Sequence, residues 1–229
     1  GNVINPDDVI SEHGADSMRL YEMFIGPLEK SAPWSTEGIQ GIYRFLQRAY
    51  RLFHVGDGKS EDEEDRYSPP APGAGTDAQR KLTAQTILGV TDDLENMRFN
   101  TAISKLMVFA RDITKDGALP QESAEAFVLL LAPMAPHLAE EIWSLMGNTE
   151  SLAHTPWPNA DETLLVEDEV SLVVQHNGKK RGEIQIAADA DEDSIKAAAL
   201  AIENVQKSID GRNPKKDIVV PGRLVNIVG

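Results

Sequence analysis

No cysteine occurs among the 229 residues. That excludes disulfide bridges, thiolate-bound zinc and cysteine nucleophiles together, and it fits a reducing cytoplasm. No apolar run approaches the ~20 residues needed to cross a bilayer. The opening Gly1-Asn2-Val3-Ile4-Asn5-Pro6 has no basic and apolar leader, so neither a membrane nor export is expected. No phosphate-binding glycine loop, dinucleotide fingerprint or nucleophile elbow is present, so no catalysis is expected from these residues. Positive charge is scarce as well: 22 Lys and Arg stand against 37 Asp and Glu, a net charge of −15. Phosphate backbones are bound mainly by Lys and Arg, so composition by itself favours an acidic, helical protein-interaction domain. Any nucleic-acid role must rest on local basic clusters. What the chain does have is a hydrophobic share of 41%, enough for a real core.

The hydrophobic spacing is helical over most of the chain. Asn5-Pro6-Asp7-Asp8 reads as a helix start, because Asn caps, Pro suits the first helical position and aspartates favour the positive end of the dipole. A second helix carries Met18, Tyr21, Phe24 and Ile25 on one side. A longer one begins near Ser35, with Ile39, Ile42, Leu46, Ala49 and Phe53 on one stripe. Residues 56–75 lose all periodicity: an acid run at Ser60–Asp65 precedes Pro69-Pro70-Ala71-Pro72-Gly73, and a flexible surface loop is expected. Thr76 and Gln79 then form a capping box before the stripe Thr83, Ile87, Val90, Leu94 and Met97. Asn100 is read as the cap of the next helix, with Ile103, Leu106, Ala110 and Ile113 inward. Two more helices follow around Phe127–Leu131 and Leu138–Met146. Antiparallel amphipathic helices of this kind form a bundle. After Trp157-Pro158 the period changes to two, and Asn177-Gly178 between apolar runs signals a hairpin. A helix through Ile195, Ala198, Leu200 and Ile202 and two closing runs, Ile218–Val220 and Leu224–Val228, complete a small β-β-α-β-β module. The expected fold is mainly α: a connecting segment at 1–34, a helical bundle at 35–158 with its loop at 56–75, and an α/β domain at 161–229.

Three constellations could carry function. His137, Glu140 and Glu141 stand at i, i+3 and i+4, but no partner pair exists elsewhere, and a histidine or carboxylate in a first turn commonly satisfies free backbone donors. No metal site is expected. Arg44, Arg48 and Arg51 lie in a row at i, i+4 and i+7. Like charges in line destabilise a helix by about 0.2–0.5 kcal/mol per pair, so they serve either an external anion or acidic neighbours. Lys179, Lys180 and Arg181 crowd the hairpin, and Lys215 and Lys216 form a second cluster; exposed lysines at a turn can also be merely solubilising. Residues 161–229 hold 9 basic and 13 acidic residues against 13 and 24 in the remainder, so the tail is the less acidic part.

Residue strings say more than these statistics. Gly1–Pro6 resembles the stretch that follows the lysine-rich ATP-binding loop of class I aminoacyl-tRNA synthetases. Gly14-Ala15-Asp16-Ser17-Met18-Arg19-Leu20 resembles the next block of leucyl-tRNA synthetases. Arg98-Phe99-Asn100-Thr101-Ala102-Ile103, Leu131–Trp143, Pro156-Trp157-Pro158, Val174–Lys179 and Val220–Val228 are similar to the same family in the same order. The resemblance covers nearly the whole chain apart from the acidic and proline-rich loop. The valyl and isoleucyl enzymes share the bundle but usually end in a coiled coil or a cysteine-bound zinc module, whereas the Val-Pro-Gly-Arg-Leu-Val-Asn ending here resembles the bacterial-type leucyl family.

This resemblance implies an anticodon-binding-type bundle followed by the family's small terminal domain. It also implies a tRNA-docking carboxy-terminal portion of a ligase that uses ATP and magnesium to activate leucine and charge tRNA(Leu). The catalytic and editing domains would lie upstream, so this portion alone would be inactive, cytoplasmic and monomeric, with no cofactor of its own. In the family the bundle follows the inner side of the tRNA and the terminal module touches its outer corner, which points to Arg44, Arg48, Arg51, Lys179, Lys180, Arg181, Lys215 and Lys216 as contacts. Two other readings remain open: a free-standing tRNA-binding factor of the same fold, and an acidic helical protein-interaction domain.

Overall fold

A computed structural model describes residues 4–26, 33–55, 66–165, 169–188, 190–210, 214, 216–220 and 223–229. The chain divides into two compact units, Gly1–Leu165 and Val166–Gly229. The first holds α1 (Pro6–His13), α2 (Ala15–Phe24), α3 (Thr36–Arg51), α4 (Asp77–Glu95), α5 (Phe99–Asp112), α6 (Gln121–Leu131) and α7 (Pro136–Leu145), with a two-residue pairing of β1 (His54–Val55) and β2 (Arg66–Tyr67).

The stripe on α3 is buried at every expected position, Ile39, Ile42, Leu46, Ala49 and Phe53, and Ser35 caps the helix by accepting from the Gly38 amide. At the centre lies α6, buried without a break from Phe127 to Leu131. Its Phe127 ring stacks on Phe109 of α5 with centroids 5.1 Å apart. A helix apolar all round belongs inside, which is why α6 has no solvent face over these turns.

The connecting segment 1–34 is not separate from the bundle. Val9, Leu20 and Tyr21 join the same core, and Asp16 of α2 caps α7 across 121 residues. Its carboxylate accepts from the Leu138 amide at 2.8 Å and from His137 Nδ1 at 2.8 Å. No side chain on α7's own cap does this, because Ala135 stands there.

Four further expectations for this unit are corrected. The loop at 56–75 is a paired segment over its described half: Ser68 N donates to Phe53 O, and Ala71 exchanges backbone hydrogen bonds with Leu119 and Gln121. Prolines that cannot continue a helix here lay the chain along its neighbours; residues 56–65 lie outside the described residues. Met97 leaves the α4 stripe for a left-handed conformation (φ 57°) at 60% exposure, and Asp93 takes the buried position one turn earlier. Asn100 is no cap; α5 starts one residue before it, after Arg98, whose amide is held by Asp93 O at 2.7 Å. Finally, the bundle runs on to Leu165, because the Trp157 indole donates to Thr91 on α4 at 2.8 Å and the short turn Glu162–Leu165 also packs on α4.

Asp93 deserves a direct test because it joins α4 to α5. It is 2% exposed, accepts from Arg98 Nε at 2.9 Å and pairs with Lys105. Burial pushes its carboxyl upward, but the hydrogen bonds from Lys105 and Arg98 outweigh that and hold it below the usual range. A depressed folded value means the stabilisation is present above about pH 4 and is lost as pH falls through that lower value. Asp93→Asn should therefore lower stability by about 1.5–3 kcal/mol at pH 7, with the gap to the native chain closing in acid. Denaturant titrations at both pH values check this; a gap that does not change with pH contradicts it.

The second unit is a four-stranded sheet in the order β4-β3-β6-β5, formed by β3 (Glu169–His176), β4 (Lys179–Ala187), β5 (Lys216–Val220) and β6 (Leu224–Val228). Only the β3–β6 pair is parallel. Leu172, Val174, Ile184, Val225 and Ile227 cover one face beneath α8 (Glu192–Leu200) and α9 (Glu203–Ile209). The module is thus β-β-α-α-β-β, because the single helix expected through Ile202 breaks there. Ile202 is extended (ψ 124°) and rests on Gly182, where an added Cβ would come within 3.1 Å. The break turns α9 so that Val205 reaches the core.

Candidate nucleic-acid interface

Arg44 and Arg48 project from the exposed side of α3, opposite its buried stripe. With Arg111 of α5 they frame a shallow groove of about 350 Å³ whose floor includes Phe45, Met107 and Val108. Among the described residues neither Arg44 nor Arg48 has a carboxylate partner. Among the described residues, then, the groove sets two positive charges without carboxylate partners beside apolar surface. Arg51, the third member expected, turns back on its own helix and donates from Nε to Gln47 O at 3.2 Å. It does not line the groove.

Arg111 was not legible as a member. It is three residues past an exposed Val108 on the outer face of α5, and only the packing of α5 beside α3 brings it to the groove. Its guanidinium is held by Asp112 at 2.6 and 2.7 Å. The hydrogen bonds from Arg111 and Lys115 hold the Asp112 carboxyl far below the usual range. The net positive charge of the groove therefore belongs to Arg44 and Arg48.

The second basic group begins at the hairpin. Asn177 and Gly178 both have positive φ (51° and 77°), the two left-handed residues of a type I′ turn. The turn is clamped to β6: Gly178 N donates to Asn226 Oδ1 at 3.1 Å and Asn177 N to Ile227 O at 2.9 Å. The expectation of an exposed basic cluster beside the turn holds for Lys179 and Lys180 and is corrected for Arg181, and all three lie at the start of β4. Lys179 is exposed, Lys180 pairs with Glu183 at 2.6 Å, and Arg181 is half-buried. Val174 opposes Gly182 while Gln175 opposes Lys180, so Arg181 is the extra residue of a β-bulge, a device that re-aims a side chain. Lys216 starts β5 at the same end of the sheet, roughly three strand spacings (~14 Å) from Lys179. Lys215 lies outside the described residues.

His137 and Glu140 on α7 have structural work. His137 bonds Asp16, and Glu140 accepts from Ser151 Oγ at 2.6 Å and from the Leu152 amide, which holds its carboxyl below the usual range. Among the described residues no three His, Asp or Glu side chains are grouped to hold a metal ion, and no helix is long and apolar enough to cross a membrane.

Residues 80–197, a little over half of the chain, match the family model described as the anticodon-binding domain of tRNA ligase. The chain belongs to that family. The match runs from the first turn of α4 to the middle of α8, so this anticodon-binding-type chain carries α1–α3 ahead of the matched span and α9, β5 and β6 after it. Among solved structures, it is similar to the LeuRS of Agrobacterium radiobacter K84 (agnB2) in its ternary complex with tRNA and LeuAMS. The identity is 30% and the TM-score 0.77, over 100% of this chain and 30% of that one. The anticodon-binding-type chain thus spans under a third of the length of the LeuRS it matches.

Proposed function

We propose that this chain is the tRNA-docking, carboxy-terminal portion of a leucyl-tRNA synthetase, a cytoplasmic and monomeric ligase that activates leucine with ATP and Mg²⁺ and transfers it to tRNA(Leu). The observation that carries the proposal is the likeness along the whole chain, at 30% identity, to a LeuRS solved with tRNA. The groove of Arg44 and Arg48 supports it, since two guanidinium groups with no carboxylate partner among the described residues, beside an apolar floor, suit phosphates flanked by sugar. ATP, Mg²⁺ and leucine are assigned to the parts of such an enzyme that this chain does not span.

A titration of tRNA(Leu) against the chain across salt concentrations tests the reading. Saturable binding whose logarithm falls linearly with log salt is expected, together with no leucine-dependent ATP–pyrophosphate exchange by this chain alone. Absence of tRNA binding at low salt would favour the acidic protein-interaction domain instead, and exchange by the pure chain would contradict the docking role.

A further inference from the structure

The turn between β3 and β4 carries a chemical liability. Asn177 is the only asparagine in the chain that is followed by glycine. In such a pair the glycine nitrogen can attack the asparagine side chain, because glycine puts no side chain in the way and leaves the backbone free to bend. A bond forms from Gly178 N to Asn177 Cγ, the bond from Cγ to Nδ2 breaks, and Nδ2 leaves as ammonia with the amide proton. Water then opens the five-membered imide at either carbonyl, leaving aspartate or isoaspartate. Asn177 and Gly178 are both exposed, so water reaches the turn, and no packed neighbour lies within 4 Å of the point where a Gly178 side chain would begin.

Hydrogen bonds hold this turn where packing does not. The Gly178 N–H donates to Oδ1 of Asn226, in the middle of β6, at 3.1 Å. Attack requires that N–H to lose its proton and the nitrogen to swing onto Cγ; a bond to a neutral amide oxygen, which is no base, opposes both. The electrophile is fixed as well. Nδ2 of Asn177 lies 3.2 Å from His176 Nε2, and an amide NH₂ only donates, so Nε2 is the acceptor. Oδ1 of Asn177 accepts from Gly229 N at 3.3 Å, which agrees with that orientation of the amide. The Asn177 backbone N–H donates to Ile227 O at 2.9 Å. Three of these four bonds go to β6 or to the residue directly after it, so β6 is what fixes the reacting atoms.

We propose that Asn177 is a conditional deamidation site, closed while Asn226 holds the Gly178 amide and opened whenever β6 lets go of the turn. Segments of a folded chain open locally at free energies below that of global unfolding, so this release does not require the module to unfold. Either product alters the module. Isoaspartate inserts an extra backbone carbon into a two-residue turn, which breaks the pairing of Gln175 with Lys180 and of His176 with Lys179. Aspartate cannot donate to His176 Nε2. The ring proton then has to move to Nε2 from Nδ1, which lies 2.6 Å from Ser208 Oγ, and a negative charge arrives beside the exposed Lys179 and Lys180.

The test keeps the whole chain in mildly alkaline buffer and follows conversion of the peptide holding Asn177 by mass spectrometry, with the fully denatured chain as the unprotected reference. The native chain is expected to convert at least about ten-fold more slowly than the denatured one, the ratio that one or two net hydrogen bonds give. Asn226→Leu keeps the size of the side chain, removes the acceptor and puts a better strand former into β6. It should convert about five- to ten-fold faster than the native chain, with no fall in melting temperature. Asn226→Asp keeps an acceptor for the Gly178 amide and should stay at the native rate. Equal rates in the native and denatured chains overturn the closed site without recourse to any variant. A native rate in Asn226→Leu, or equal acceleration in Asn226→Leu and Asn226→Asp, overturns the role of Asn226. Acceleration that tracks a lower melting temperature contradicts it too, because unfolding rather than one lost hydrogen bond would then have opened the turn.

Discussion

Replacing Arg44 and Arg48 together by alanine is expected to weaken tRNA(Leu) binding roughly 10- to 30-fold at low salt, at about 1 kcal/mol per lost contact once solvent exposure is discounted. The log–log salt slope should fall by about 1.4–1.8, two phosphates' worth. Both guanidinium groups are exposed and carry no carboxylate partner among the described residues, so their removal should leave stability nearly unchanged. Arg51→Ala is the internal control. It removes the same charge one turn further along α3, from a side chain turned onto Gln47 O, and should change binding far less. Arg111→Ala should fall between them, because Asp112 already engages that guanidinium. Equal losses from Arg51 and from Arg44 with Arg48 would mean that the charge row acts as a diffuse field and that the groove is irrelevant.

The largest effect on stability is expected at Phe127. The side chain is 0% exposed and stacks on Phe109 where α5 and α6 meet. Phe127→Ala removes the ring and leaves a cavity that close-packed helices cannot fill, at about 3–5 kcal/mol. For a unit of 165 residues that corresponds to a fall in Tm of roughly 10 °C. Val108→Ala, on the same helix pair but 42% exposed, should cost less than about 0.5 kcal/mol. A scan showing similar losses at both positions would place the centre of the core elsewhere.

Local signals were legible wherever one segment decides its own structure. Ser35, Asn5 and the Thr76–Gln79 box cap the helices that their spacing announces, and Asn177-Gly178 makes the turn that two left-handed residues require. What the sequence hides is chosen by distant partners. Asp16 and His137 meet across 121 residues, and Gln79 also donates to the carbonyls of Ile113 and Ala118, so neither role follows from a window of a dozen residues. The α4 stripe ends before Met97 because a buried aspartate with two cationic partners takes the place a hydrophobic residue would have. The break between α8 and α9 follows from Gly182 on another element, which leaves room for Ile202. For the interface, the row on α3 was visible as a pattern of charge. Which of its members have no carboxylate partner among the described residues, and that a bulge falls at Arg181, depend on register and packing.

The central claim is that a chain with a net charge of −15 meets RNA through two local basic surfaces. Ultraviolet cross-linking of tRNA(Leu) to the native chain, read by mass spectrometry of the cross-linked peptides, tests it most directly. The account predicts cross-links concentrated in residues 41–48 and 107–111 of the bundle and in residues 177–182 of the terminal module, diminishing together as salt rises. Cross-links that avoid both sets, or that persist unchanged at high salt, would contradict it.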